Sequence, residues 1–190
     1  MAGSGGFLAR ICDNGRSLDL ALRRKRQPVA RRPQLGNMRI MINIRISNAS
    51  DSLRVMQIWR NAVAATHHFL NPNDRDEIEI EVSQFLPAAP LWLATDAEDK
   101  PLGFMLLDHA HMDALFIDPA CRGQGIGKTL VEYALELHPN LTTEVNEQNE
   151  QAVGFYKHLG FVPTGRSVRD GQGRPYPLIH LFRSTSPIAS

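Results

Sequence analysis

The densest chemistry in this 190-residue chain lies between Ile117 and Leu130. An apolar stretch ends at Asp118-Pro119, the loop Arg122-Gly123-Gln124-Gly125-Ile126-Gly127 follows, and Lys128 leads into a segment of helical periodicity. The start of a helix leaves backbone N–H groups without intrahelical partners and carries partial positive charge. Glycines at 125 and 127 remove side chains that would keep an anion away from those donors, and Arg122 and Lys128 add full charges. Such a loop suits a pyrophosphate. Two common phosphate loops do not fit it. Gly127-Lys128-Thr129 matches the end of a P-loop, but the first glycine of that motif would fall on Arg122. The dinucleotide pattern G-x-G-x-x-G would put its last glycine on Lys128 or Leu130.

Other reactive types are more scattered. His109, His111 and Asp113 alternate, which places all three on one face of a strand. A His-x-His pair is a zinc-type spacing, yet no Cys or Glu-x-x-His partner accompanies it, so no metal is expected. Cys121 is a nucleophile by type. His67-His68-Phe69 separates two helical segments, and no Ser-His-Asp arrangement stands out.

The elements that must position these groups can be read from periodicity. Ile42–Ile46 alternates as a strand. Ser50 or Asp51 can cap a helix carrying Leu53, Met56, Trp59, Ala62 and Val63. A more charged helix is expected from about Asp74 to Phe85, ended by Pro87 and Pro90. Strands follow at Leu91–Ala94, Leu102–Leu107 and Met112–Ile117. A helix then runs from the glycine loop to about His138, with Ile126, Leu130, Ala134 and Leu137 on one face. Leu141–Val145 is a strand, and Glu147–Leu159 is a helix stopped by Gly160. Two last strands flank Asp170-Gly171-Gln172-Gly173, a hairpin turn by composition. The order β-α-α-β-β-β-α-β-α-β-β gives an α/β (α+β type) fold, with a mixed, mostly antiparallel central sheet flanked by helices.

Bulk composition agrees with one soluble domain: 43% hydrophobic and 22% charged residues, with no apolar run of the roughly 18 residues a membrane span needs. Charge is uneven, +6 over residues 1–38 and −5 over the rest. The acidic body argues against a nucleic-acid module. Two cysteines, one of them in the basic segment, give no disulfide framework and point to a reducing, cytoplasmic setting. Residues 1–40, with Arg23-Arg24-Lys25-Arg26, are expected to be a disordered basic extension or to precede a true start at Met38 or Met41. An organelle-targeting segment and a basic arm are the other readings. The domain itself is expected over 41–185, with 186–190 a tail.

The spacing Arg122-x-x-Gly125-x-Gly127 after Leu115-Phe116-Ile117-Asp118-Pro119, joined by Asn149, Ala152, Phe155, Tyr156, Gly160 and Phe161, resembles the coenzyme A signature of the GNAT N-acetyltransferase superfamily. The strings 112–119 and 146–156 are similar to a small bacterial branch, the YjaB-like acetyltransferases. The resemblance covers roughly residues 41–183.

The resemblance implies acetyl-CoA as acetyl donor and cosubstrate, no metal, and a primary amine as acceptor, either a small molecule or a protein group. The pantetheine arm would pair with Leu115, Phe116 and Ile117, where the sheet splays. The pyrophosphate would sit on Arg122, Gly123, Gln124, Gly125, Ile126, Gly127 and Lys128, and Asn149 would touch the arm. Tyr156 would be the general acid for the leaving thiolate. His111, Glu144 and Asp113, in that order, would be the base candidates, and a backbone N–H near Leu115 or Phe116 would stabilise the oxyanion. Cys121 then lies beside the pyrophosphate, away from the thioester, which favours direct transfer. His67 would face the acceptor. The alternative in another class is a CoA-binding sensor without catalysis. Exposed edge strands and a C-terminal hairpin are compatible with a homodimer.

Overall fold

The computed structural model describes residues 41–185; the readings made for residues 1–40 and 186–190 lie outside them. The alternation at 42–46 becomes strand β1 (Asn43–Ile46). Helix α1 (Ser52–Thr66) follows, then α2 (Pro72–Phe85), β2 (Trp92–Thr95), β3 (Pro101–Asp108) and β4 (His111–Ile117). Helix α3 (Ile126–Leu137), β5 (Asn140–Asn146), α4 (Glu150–His158), β6 (Val162–Ser167) and β7 (Leu178–Ser184) complete the domain. The seven strands form one sheet in the order β1-β2-β3-β4-β5-β7-β6. Every neighbouring pair is antiparallel except β4 with β5.

Each face of the sheet is covered by helices whose apolar residues recur at helical spacing. On one face Val55, Ile58 and Trp59 of α1 and Ile78 and Val82 of α2 pack with Leu93 and Phe104. On the other, Ile126, Leu130, Val131 and Ala134 of α3 pack with Met105, Met112 and Leu141, and Tyr156 of α4 joins them. A fully buried Leu or Phe side chain contributes about 1.5–3 kcal/mol, so these two layers supply most of the drive to fold.

Several local expectations change. Leu53 is 88% exposed rather than part of the α1 apolar face, because the buried stripe runs through Val55, Met56, Ile58 and Trp59. Leu137, at the last turn of α3, is also exposed. The α1 start is capped one turn earlier: Asn48 accepts from the Ser50 N–H, and Asp51 accepts from the Asn48 N–H at 2.8 Å. The Asp51 carboxylate also holds the Arg45 guanidinium through two bonds of 2.8 and 2.9 Å, a fork that ties β1 to α1. Helix α2 begins at Pro72 behind an Asn71 cap, since proline suits the first helical position. Gly160 does end α4, at φ +82°.

The tight hairpin expected at Asp170–Gly173 is instead the tip of a longer connection spanning 168–177. The turn itself is real, because Asp170 Oδ1 accepts from the backbone N–H groups of Gln172 and Arg174. The connection is fastened to α2: Arg174 reaches Glu77 and Glu81 at 3.4 and 3.2 Å, and the Tyr176 hydroxyl donates to Asp74. Polar side chains provide this anchorage, so alternation of apolar residues gave no sign of it.

Candidate active site

The site is built around an interruption of the sheet. β3 and β4 pair from Asp108↔His111 to Gly103↔Ile117, and β5 and β7 pair along all of β5. β4 and β5, by contrast, pair only at His111↔Thr142 and Met112↔Thr143. Side chains fasten this closed end: Thr143 Oγ1 donates to the Met112 carbonyl at 2.8 Å, and Thr142 Oγ1 lies 2.8 Å from His111 Nδ1. Beyond it the strands diverge, and cavities open between Asp113–Ile117 on one side and Thr143–Asn146 on the other.

The larger opening is a groove of about 550 Å³ leading from β4 to the start of α3. Leu115, Phe116, Ile117, Arg122, Gly123, Gly125, Ile126, Gly127, Lys128 and Asn149 all line it. Gln124 does not; its residue is exposed outside the groove. Gly123 and Gly125 adopt φ of +77° and +83°, conformations that a side chain strains, and nothing stands within 4 Å of where their β-carbons would be. Gly125 is the N-cap of α3, and the first intrahelical acceptor is its carbonyl, taken by Thr129 N–H. The N–H groups of the first α3 turn therefore face outward at a bare loop, an arrangement that fits a diphosphate. Arg122 lies beside them, with Nη1 3.3 Å from Gln151 Oε1.

The smaller cavity, about 110 Å³, continues past Tyr156 into the split between β4 and β5. His67, Leu115, Phe116, Asn149, Ala152 and Tyr156 line both spaces and so form the passage between them. Its acidic wall is made by Asp113, Glu144 and Asp170, and among the described residues no Lys or Arg lines it.

Tyr156 is 6% exposed, with its ring between Phe155 and Phe161 at centroid distances of 5.2 and 5.3 Å. Burial pushes its phenol well above the ordinary value, opposed in part by a hydrogen bond with Thr143. At neutral pH the group is a protonated donor. His67 is carried down to about 4, first by burial and then by the positive charge of Arg122, so its imidazole is neutral at pH 7.

The structure separates the three base candidates. Glu144 and Asp113 line the smaller cavity, with side chains 3% and 6% exposed. His111 does not line it; the ring stands behind, with Nε2 3.6 Å from Asp113 Oδ1. The expected row of His109, His111 and Asp113 is broken because His109 sits in the β3–β4 turn at φ +53°. Asn149 uses its side-chain oxygen to cap α4, accepting from Ala152 N–H at 3.1 Å, and the residue lines the passage. Cys121 lines the groove at the glycine-loop end, and burial raises its thiol. Thr143 and Asp170 were not anticipated. Thr143 carried no signal among alternating strand residues, and Asp170 read only as a turn former.

The acetyltransferase (GNAT) domain model matches residues 60–174, and the chain belongs to this family. It is therefore an enzyme, an acetyl-CoA-dependent N-acetyltransferase. It is 61% identical over 143 residues to the peptidyl-lysine N-acetyltransferase YjaB of Salmonella typhimurium, covering 75% of this chain and 99% of that protein. The Escherichia coli protein of the same name is 56% identical over 142 residues, covering 75% and 97%. The solution structure of apo-form YjaB from Escherichia coli superposes with a TM-score of 0.73 at 55% identity, over 75% of this chain and 97% of that one. The fold, a seven-stranded, mostly antiparallel sheet flanked by helices, is shared with it. No helix among the described residues is long and apolar enough to cross a membrane.

Proposed function

We propose that this chain acetylates lysine side chains of proteins by direct transfer in a ternary complex, with Tyr156 as general acid and Glu144 as general base. The observation that carries the reading is the passage at Tyr156, where a groove suited to a CoA thioester meets a cavity walled by three carboxylates. A lysine ammonium entering that cavity meets three carboxyl groups and, among the described residues, no Lys or Arg. The names of the YjaB relatives support the same acceptor.

The chain's own residues have definite tasks in this scheme. The glycine loop and Arg122 hold the diphosphate, and the edge of β4 at Leu115–Ile117 aligns the pantetheine arm. The ammonium gives a proton to the Glu144 carboxylate, since only a neutral amine has the lone pair that attacks the acetyl carbon. A backbone N–H at Leu115 or Phe116 meets the oxyanion. As the carbon–sulfur bond breaks, the departing thiolate takes the Tyr156 proton. A buried phenol is a weak acid, so placement rather than acidity makes it effective.

The deciding experiment offers acetyl-CoA with lysine peptides, the same peptides with acetylated lysine, and a panel of polyamines and amino sugars. Thiol release and peptide mass are followed together. Lysine-dependent acetylation of peptides at rates above those of the small amines is expected. Turnover confined to the small amines would overturn the acceptor, and a fully active Glu144→Gln variant would overturn the base.

A further inference from the structure

Glu144 does not stand alone on its strand. It lies directly opposite His180 in the β5–β7 ladder, and His180 Nδ1 is 2.8 Å from Glu144 Oε1. The other ring nitrogen, Nε2, is 2.7 Å from Ser167 Oγ on β6. The β6–β7 register shifts between Pro163 and Gly165, which sets Gly165 opposite His180. A β-carbon at Gly165 would come 3.5 Å from His180 Cδ2, so the ring rests against a residue without a side chain. The result is a connected row of serine, histidine and glutamate running from the sheet surface to the acceptor cavity.

We infer that His180 is the positioning residue for the Glu144 base, itself held in place by Ser167. The contact of His180 Nδ1 with Glu144 Oε1 at 2.8 Å is of ion-pair distance, and since an ionised carboxylate can only accept, the ring is the partner that offers it an N–H or a positive charge. On its far side Nε2 meets the Ser167 hydroxyl at 2.7 Å, a hydrogen bond that holds the ring in place. This arrangement holds the Glu144 carboxylate in one orientation beneath the cavity. A donor or positive charge beside a buried carboxylate offsets part of its loss of water. The ring itself stays out of the cavity and touches neither substrate.

The charged and titratable groups around the pair are few. Asp113 of β4, His67 after α1, Tyr156 of α4 and Asp170 of the 168–177 connection share the cavity with Glu144. His180 meets Glu144 on β5 and Ser167 on β6. Asp113 and Asp170 bring two further carboxyl groups to the same wall, and His180 is the ring that meets Glu144 from the β7 side.

The inference rests on Glu144 being the base, and the test separates the two. Log kcat for a lysine peptide is measured from pH 5.5 to 9 for the wild type, His180→Ala, His180→Asn, Ser167→Ala and Glu144→Gln. The His180→Ala variant is expected to move the acidic limb upward by about one pH unit, lowering kcat about tenfold at pH values below the limb. Peptide KM and acetyl-CoA affinity by calorimetry should stay within about twofold. His180→Asn, whose amide can donate in place of Nδ1, should restore most of the limb, and Ser167→Ala should move it less than His180→Ala. A pH-independent loss in His180→Ala, equal in His180→Asn, would mean a packing role and overturn the inference. An unchanged Glu144→Gln variant would instead overturn the base assignment beneath it.

Discussion

Gly127 and Phe155 touch across the mouth of the groove: the ring carbon Cζ lies 3.2 Å from where a β-carbon on Gly127 would stand, with Ile117 Cγ1 next at 3.6 Å. The first turn of α3 thus packs against α4 so closely that even a methyl group must displace the ring. Because Phe155 also lines the groove, that displacement reaches the binding surface. Gly127→Ala gains up to about 1 kcal/mol of helix propensity and loses about 1–3 kcal/mol to overpacking. Calorimetry with acetyl-CoA should show affinity weakened about tenfold while the melting temperature moves by only a few degrees. Gly125→Ala differs in cause, since space is open there and the cost, about 1–2 kcal/mol, is the left-handed backbone.

Tyr156→Phe removes one hydroxyl and keeps the ring between Phe155 and Phe161. We expect kcat to fall by about 10²-fold or more, with acetyl-CoA affinity retained. Because burial raises the phenol, the acid form persists through the neutral range, and the wild-type rate should show no alkaline decline from this group up to pH 9. Stopped assays of thiol release, paired with calorimetry, separate the two effects.

His67 links stability to pH. Unfolded, its imidazole takes a proton near the ordinary value of 6.5; folded, it does so only at about 4. Between those values the unfolded state binds more protons, so this group lowers stability progressively as pH falls from about 6.5 to about 4, and no further below. His67→Gln should remove that slope. Urea unfolding at pH 7 and pH 4.5 checks it: the wild type should lose more stability between the two than the variant.

Arg174 anchors the 168–177 connection through Glu77 and Glu81, with its side chain 13% exposed. Arg174→Ala should cost about 1–2 kcal/mol and free the segment that carries Asp170 to the wall of the smaller cavity. Peptide KM is expected to rise several-fold while acetyl-CoA affinity holds, a split that steady-state kinetics and calorimetry can read.

The parts of this enzyme legible in the sequence are those that depend on near neighbours. Arg122, Gly125 and Gly127 mark a glycine loop at a helix start because spacing along the chain is the spacing in space there. Gly160 announces the end of α4 for the same reason. The stripe on α1 was read with Leu53 in it because Leu53 and Met56 share a helical spacing, while burial is decided by which side meets the sheet.

What the chain hides are relations between strands. Nothing near Glu144 marks His180 as its partner, since the pairing is set by the β5–β7 register. His111 looked like the best base by its type, yet its place at the joined end of β4 and β5 keeps it behind Asp113. The length of the 168–177 connection depended on polar anchors to α2, a helix far earlier in the chain.

One feature of the sheet bears on how the protein survives in its working environment. β1–β4 form one complete ladder and β5, β7 and β6 another, and only two residue pairs bridge them. A molecule lying along both free edges becomes a structural brace as well as a reactant, and it adds to resistance against unfolding by mass action. By the same linkage, the enzyme with its donor seated along this split is expected to resist proteolysis better than the free enzyme.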